Sequence, residues 1–319
     1  MTSAPHLSVM PNEVLEYMAP KDGEVYVDGT FGAGGHTKSL LEAANCKVFA
    51  IDRDPTVGVY VSTLSKEFDG RIEFLQGCFG DMEELLKAKG VSEVDGILLD
   101  IGVSSMQIDT PERGFSFSND GPLDMRMGDS GTSASDFINS AEEREIADIL
   151  FKYGGEKKSR KIAKAIVMAR SEEPITRTAQ LVEIIRNAVK VYNDTINPAT
   201  RTFQALRMWV NDELGELERS LRAAENLLSP GGRLVVITFH SGEDSIVKEF
   251  LNKRSGKARG FSRHQPIPVS DDVPPTFSTM ASKAIAPSKD EVFDNPRARS
   301  AKLRAAKRLD SPSWSKKDV

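Results

Sequence analysis

Three carboxylates and a cluster of glycines mark where this sequence could do chemistry. Residues 25–55 read VYVDGTFGAGGHTKSLLEAANCKVFAIDRDP, with Gly29, Gly32, Gly34 and Gly35 inside seven residues. A strand that ends in a glycine-rich turn and opens a helix brings backbone N–H groups close to a ligand at the carboxyl edge of a sheet. A nucleotide or nucleoside is the ligand such a turn suits. Asp52 falls twenty positions after Gly32, at the end of the next apolar run, where its carboxylate is placed to accept hydrogen bonds from two ribose hydroxyls. That spacing suits NAD and S-adenosylmethionine alike. The pattern G-x-G-x-x-G begun at Gly32 would need glycine at position 37, where Thr37 stands. A turn that begins with an acidic residue is met by Asp28-x-Thr30-x-Gly32-x-Gly34, in which Asp28 can help hold a methionine end, although Thr30 stands where a glycine is often seen. On these letters the methyl donor is favoured over the nicotinamide. Asp100 ends a fourth apolar run and gives another carboxylate at the same rim, with a helix cap or a loop salt bridge as its structural alternative.

The elements that must position these residues follow from hydrophobic periodicity. VYVD at 25–28, KVFAID at 47–52, RIEFL at 71–75 and VDGILLD at 94–100 read as strands, and the segments TKSLLEAA and DMEELLKAK between them have helical spacing. Strand alternating with helix implies an α/β half with a parallel sheet. From about Ser118 the pattern changes to a long loop and then four helical stretches. Ser140 with Glu143 predicts a capped start for the first, which carries Ile146, Ile149, Leu150 and Tyr153 on one face. The second runs near Ser159 to Arg170, and the third uses Leu181, Ile184, Ile185 and Val189. The fourth is a long periodic stretch from Phe203 to Leu228. RLVVITF then resumes the sheet, so the helical block is an insertion in one core. Pro/Ser-rich loops follow Phe250, with late strands expected near Phe277 to Ile285 and Ser300 to Lys307.

Composition excludes several classes. The chain has 319 residues, 39% of them hydrophobic, enough for one large core or two modest ones. Its longest apolar stretch, Leu234 to Phe239, is too short to span a bilayer, and no signal-peptide layout is present, so a cytoplasmic location is expected. Cys46 and Cys78 form no C-x-x-C pair, which supports neither a disulfide framework nor a metal site. The net charge of −5 hides an asymmetry: from Ser245 onward 16 Lys+Arg stand against 8 Asp+Glu, and before it 26 stand against 39. The basic end is where a polyanion would dock.

A longer set of motifs resembles a known family. The stretch DGILLDIGVSSMQIDTPERGFSFSNDGPLDMRM at 95–127 is similar to the MraW/RsmH family, bacterial enzymes that methylate N4 of a cytidine in the decoding centre of small-subunit ribosomal RNA. So are HLSVMPNEVLEYM, DGTFGAGGHT, YGGEKKSRKIAKAI, NPATRTFQALRMWVNDEL, LSPGGRLVVITFHSGEDSIVK and NPRARSAKLRAAKR, in that order over nearly the whole chain. The resemblance implies an α/β fold, a seven-stranded Rossmann-like class I methyltransferase sheet with an inserted all-helical domain. On that basis the methyltransferase domain is expected over 1–115 and 216–319, the latter with a basic C-terminal segment, and a helical substrate-recognition domain over 116–215. It implies S-adenosyl-L-methionine as cofactor, 16S ribosomal RNA in the small ribosomal subunit as partner, and no metal or membrane; it leaves a homodimer open. Matched motif to motif, the cofactor contacts fall on Gly34, Gly35, His36, Asp52, Phe79, Asp100 and Gln107.

Acceptor chemistry narrows the rest. Transfer of a methyl group from a sulfonium is an in-line displacement, so positioning is most of the catalysis. The N4 lone pair of cytosine is delocalised into its ring, and an acceptor on its N–H would help to localise it. Asp100 is the candidate, although DIGVSS stands where many amino-methyltransferases carry an Asp/Asn-Pro-Pro-aromatic motif. Ser104, Ser105, Asp124, Arg126 and His240 are candidates for cytidine or phosphate contact. Phe115 and Phe117 either stack on an extruded base or form the buried face of a small strand. Arg297, Arg299, Lys302, Arg304, Lys307 and Arg308 are expected to include phosphate contacts. The competing functions are a methyltransferase for another acceptor, a nicotinamide-dependent oxidoreductase, and an RNA-binding assembly factor with a vestigial pocket.

Overall fold

Long β-branched and aliphatic runs with few polar interruptions are what strands need when helices cover both their faces. In a computed structural model, which describes residues 7–189, 197, 199–256 and 273–314, such runs form the centre of one seven-stranded sheet, whose edge strands are shorter or more polar. The strands are β1 (Val25–Asp28), β2 (Lys47–Asp52), β3 (Ile72–Gln76), β4 (Val94–Asp100), β5 (Leu228–Thr238), β6 (Phe277–Thr279) and β7 (Lys302–Arg308). Their order is β3-β2-β1-β4-β5-β7-β6, with β7 antiparallel to both neighbours and the others parallel. This is the seven-stranded sheet that the family resemblance implied. The order reverses between β1 and β4, which opens a crevice at their carboxyl ends.

The helices are α1 (Pro11–Met18), α2 (Gly35–Ala43), α3 (Gly58–Glu67), α4 (Met82–Lys87), α5 (Ser105–Asp109), α6 (Ala134–Ser140), α7 (Glu143–Gly154), α8 (Ser159–Arg170), α9 (Thr178–Ala188), α10 (Ala199–Val210), α11 (Glu213–Leu227), α12 (Ser241–Arg254) and α13 (Lys289–Asp294). Contacts divide the chain into two units, Met1–Gly102 with Leu214–Val319, and Val103–Glu213. The first contains the sheet, and its core joins Val27, Phe49, Ile97, Leu99, Leu234 and Val236 to Leu217, Leu221 and Val247 from the helices. The second is built from α5 to α10 around Phe137, Ile146, Leu150, Ile162, Ile166, Leu181 and Phe203. No helix among the described residues is long and apolar enough to cross a membrane.

Two of the helix expectations change. Ser140 does not cap the first long helix of the insertion; it ends α6, a helix that starts inside the expected loop. Ser133 supplies the competing cap: its Oγ accepts from Asp136 N at 3.0 Å while an Asp136 oxygen accepts from Ser133 N at 3.0 Å. The periodic stretch from Phe203 to Leu228 is two helices and the first residue of β5. Asp212 breaks it with φ of 48°, and Asn211 fixes the break by accepting from Met127 N at 2.8 Å and donating to Met125 O at 2.7 Å. Most of the Pro/Ser-rich segment after Phe250, residues 257–272, lies outside the described residues.

Candidate functional site

The turn after β1 is shaped by hydrogen bonds running to both neighbouring strands. Gly29 N donates to Leu98 O of β4 at 2.9 Å, and Phe31 N donates to Ile51 O of β2 at 3.0 Å. A Cβ at Gly29 would lie 2.6 Å from Leu99 Cδ2 and 3.3 Å from Phe79 Cβ, so a side chain there would force its neighbours to shift. Gly34 starts α2 at φ 78°, and a Cβ on it would strike Leu64 and Phe31. Asp28 is buried and does not present itself to a ligand: its oxygens accept from Thr30 N at 3.2 Å and from Thr37 Oγ1 at 2.7 Å. Thr37, the residue that broke the dinucleotide pattern, thus ties α2 to the end of β1. Thr30 Oγ1 in turn accepts from Asp100 N at 2.7 Å and links the turn to β4.

The rim holds three groups suited to a ligand. Asp52 ends β2 half-buried, with Oδ2 accepting from Gly32 N and Oδ1 from Asp54 N, each at 2.8 Å. Burial, only partly offset by those two donors, raises its pKa to about 6. Phe79 follows β3 half-buried, its ring packed on the edge of the sheet core. Its turn is held by Glu216 of α11, which accepts from Gly80 N at 2.8 Å. Asp100 ends β4 with Oδ2 3.4 Å from His36 Nε2. His36 is buried on the first turn of α2, and neither of its ring nitrogens makes a hydrogen bond; Asp100 Oδ1 is likewise buried and unbonded. Burial works against a charged imidazole, yet the neighbouring Asp100, then Asp28, outweigh it and leave the His36 pKa raised.

Together these groups fit S-adenosylmethionine. Asp52 offers a carboxylate already aimed by two backbone donors, Phe79 an apolar face, and Asp100 an acceptor without a partner. Among the described residues no group of three or more His, Cys, Asp or Glu could hold a metal ion.

The other expected site residues have defined local roles. His240 caps α12: Nδ1 accepts from Gly242 N at 3.2 Å and Glu243 N at 3.4 Å, so the ring proton belongs on Nε2, 2.8 Å from the buried Glu243 carboxylate. In the second unit Ser104 caps α5, accepting from Gln107 N at 3.2 Å while Gln107 Oε1 accepts from Ser104 N at 3.1 Å. Ser105 is the first residue of that helix. Asp124 and Arg126 are engaged with each other, Oδ1 taking Nε at 2.9 Å and Oδ2 taking Nη2 at 2.6 Å. Phe115 and Phe117 lie on no strand; Phe115 is buried, and Phe117 packs edge-on against Phe203 with ring centroids 5.0 Å apart.

Sequence spacing had not singled out Glu216, Glu243 or the pairing of His36 with Asp100. Glu216 lies beside Leu217 in an amphipathic helix, where a carboxylate reads as solvated, and its partner is 136 positions away. The only available signal was its place at the margin of the apolar stripe.

Relatives agree over the whole length. A ribosomal RNA small subunit methyltransferase H of Paramagnetospirillum magneticum is 54% identical over 314 residues, covering 98% of this chain and 99% of its own. The protein of the same description from Rhodospirillum centenum is 57% identical over 308 residues, covering 97% of this chain and 93% of its own. The model of the MraW methylase family matches residues 3–309, and the chain therefore belongs to that family.

Proposed function

We propose that this chain is an S-adenosylmethionine-dependent methyltransferase acting on N4 of a cytidine in 16S ribosomal RNA, in the cytoplasm and in the context of the small subunit. The observation that carries this is the set of groups at the β1–β4 switch point: a glycine turn, a ribose-suited Asp52, and a buried Asp100 oxygen with no partner. The names of the relatives supply the RNA. The cofactor, when bound, supplies a methyl group on a sulfonium. Asp52 accepts the ribose hydroxyls, Phe79 lies against adenine, and Gly34, Gly35, His36 and Gln107 complete the hold on the cofactor. Asp100 accepts an N–H of the acceptor amine at Oδ1, which localises the nitrogen lone pair, while His36 steadies Oδ2. Ser104, Ser105, Asp124, Arg126 and His240 contribute to holding the nucleotide.

The test uses small-subunit RNA from a strain lacking the protein, purified enzyme and labelled methyl donor. Nucleoside mass spectrometry should find N4-methylcytidine. Label in protein fractions with none in RNA would instead favour another acceptor.

A further inference from the structure

We propose that a cleft between α12, β6 and β7 binds a phosphodiester group of the substrate strand, an inference that rests on the function proposed above. Lys248 and Asn252, one helical turn apart on α12, form one wall. Thr279 at the end of β6, then Ser282 and Lys283, form a second, and Arg304 of β7 forms the floor. Three cations and three neutral polar side chains thus face one space, and no carboxylate lines it among the described residues.

The carboxylate that Arg304 touches is already committed. Asp244, one turn before Lys248, accepts from Arg304 Nε at 2.7 Å and from Lys302 Nζ at 3.2 Å. Its burial opposes ionisation, but Arg304, then Lys302, hold its pKa below the usual value. The pair fixes one edge of the Arg304 guanidinium, which is only 16% exposed. A planar cation held in place before the ligand arrives loses little freedom on binding phosphate. Lys248 and Lys283 are exposed at the mouth and supply compact charges to the same oxygens. Two exposed lysines beside an Arg304 that Asp244 already holds favour an anion, and Arg and Lys beside Ser, Thr and Asn is the donor set that contacts nucleic-acid phosphates.

The place in the sheet suits a strand already engaged at the methyl-transfer edge. Arg304 pairs with Val236 of β5, and Val236 pairs with Leu99 of β4, the residue before Asp100. Two strand spacings separate them, about 10 Å. Asp100, the next residue along β4, points to the opposite face from Leu99, so a strand held at both places would pass over the carboxyl edge of the sheet. The pairing also separates the basic residues of the closing motif. Arg308 is buried and donates to the carbonyls of Glu225, Thr276, Leu309 and Ser311, so it holds the chain; Arg304 faces the cleft.

The test compares the full chain with Lys248→Ala/Lys283→Ala. Neither residue belongs to the methyl-transfer site, and both are exposed, so the fold should be kept. RNA affinity is measured against salt, together with kcat at saturating RNA and affinity for S-adenosylhomocysteine. The double variant should bind RNA about ten-fold more weakly near 0.1 M salt, and its log–log salt slope should fall by about 0.7 to 0.9, one phosphate contact's worth. Its kcat and S-adenosylhomocysteine affinity should stay within about two-fold of the parent. Unchanged RNA affinity and slope, with the parent active on RNA, would overturn the cleft assignment and leave the function standing. Inorganic phosphate binding to the parent, lost in the variant with RNA affinity unchanged, would make it a free-phosphate site and also overturn it. A parent that neither binds nor methylates RNA would remove both.

Discussion

Asp52 is the residue whose titration reports on the ligand. Burial raises its folded-state pKa from 3.8 to about 6, so the neutral acid persists up to about pH 6 and the carboxylate prevails above it. The sign for stability follows: its contribution is greatest below pH 4 and is lost as pH rises through about 6. Ribose hydroxyls donate to a carboxylate and favour the ionised form, so affinity for S-adenosylhomocysteine should rise between about pH 5 and 7 and then level off. Calorimetric titration at each pH should find this rise in the parent and a flat profile in Asp52→Asn, with affinity at pH 7 lower by about ten- to a hundred-fold, as expected for losing hydrogen bonds to a charged group. A variant that retained the pH dependence would assign it to another group. The glycine turn and Asp52 were legible in the sequence because backbone approach and strand-end carboxylates follow chain spacing. The contact between His36 and Asp100 was not, since 64 positions separate them and only the pairing of β1 with β4 brings them together.

At the scale of elements, the central strands β1, β2 and β4 were legible because helices cover both faces of the sheet and leave nearly unbroken apolar runs. The division of the long helical stretch was hidden for the opposite reason: the 3.6-residue period continues through the break, and the left-handed Asp212 depends on bonds made far along the chain. Asn211 accounts for that break. Its side chain is buried and satisfies Met127 N and Met125 O in the loop that follows Asp124, and also the Arg207 carbonyl of its own helix at 2.9 Å. Asn211→Ala would leave the loop's donor and acceptor without these partners, at a cost of about 2–4 kcal/mol. Urea denaturation should show that loss. A change below about 0.5 kcal/mol would mean that the loop finds other partners and that Asn211 does not hold it.

On the scale of the whole chain, sequence showed a basic carboxyl end but not how its charges are used, because composition cannot tell a buried cation from a solvated one. The sheet-bearing unit closes on a buried ion pair. Glu225 of α11 accepts from Arg254 Nε at 2.9 Å and from Thr276 Oγ1 at 2.6 Å, and Arg254 also lies 4.6 Å from the Trp314 ring. Trp314 Nε1 donates to Pro274 O at 2.8 Å, so the chain after β7 is tied to the segment leading into β6. Removing one ion strands the other in a dry site, whereas removing both avoids that penalty. Arg254→Met should therefore cost about 3–5 kcal/mol, and Glu225→Leu a similar amount, although it also strips Thr276 of an acceptor. The double variant should be more stable than the sum of the two losses implies, by at least about 1 kcal/mol. Chemical denaturation of the three variants and the parent closes the cycle. Losses that add to within about 0.5 kcal/mol would show that the two groups act independently, and that packing around Trp314, rather than the ion pair, secures the carboxyl end.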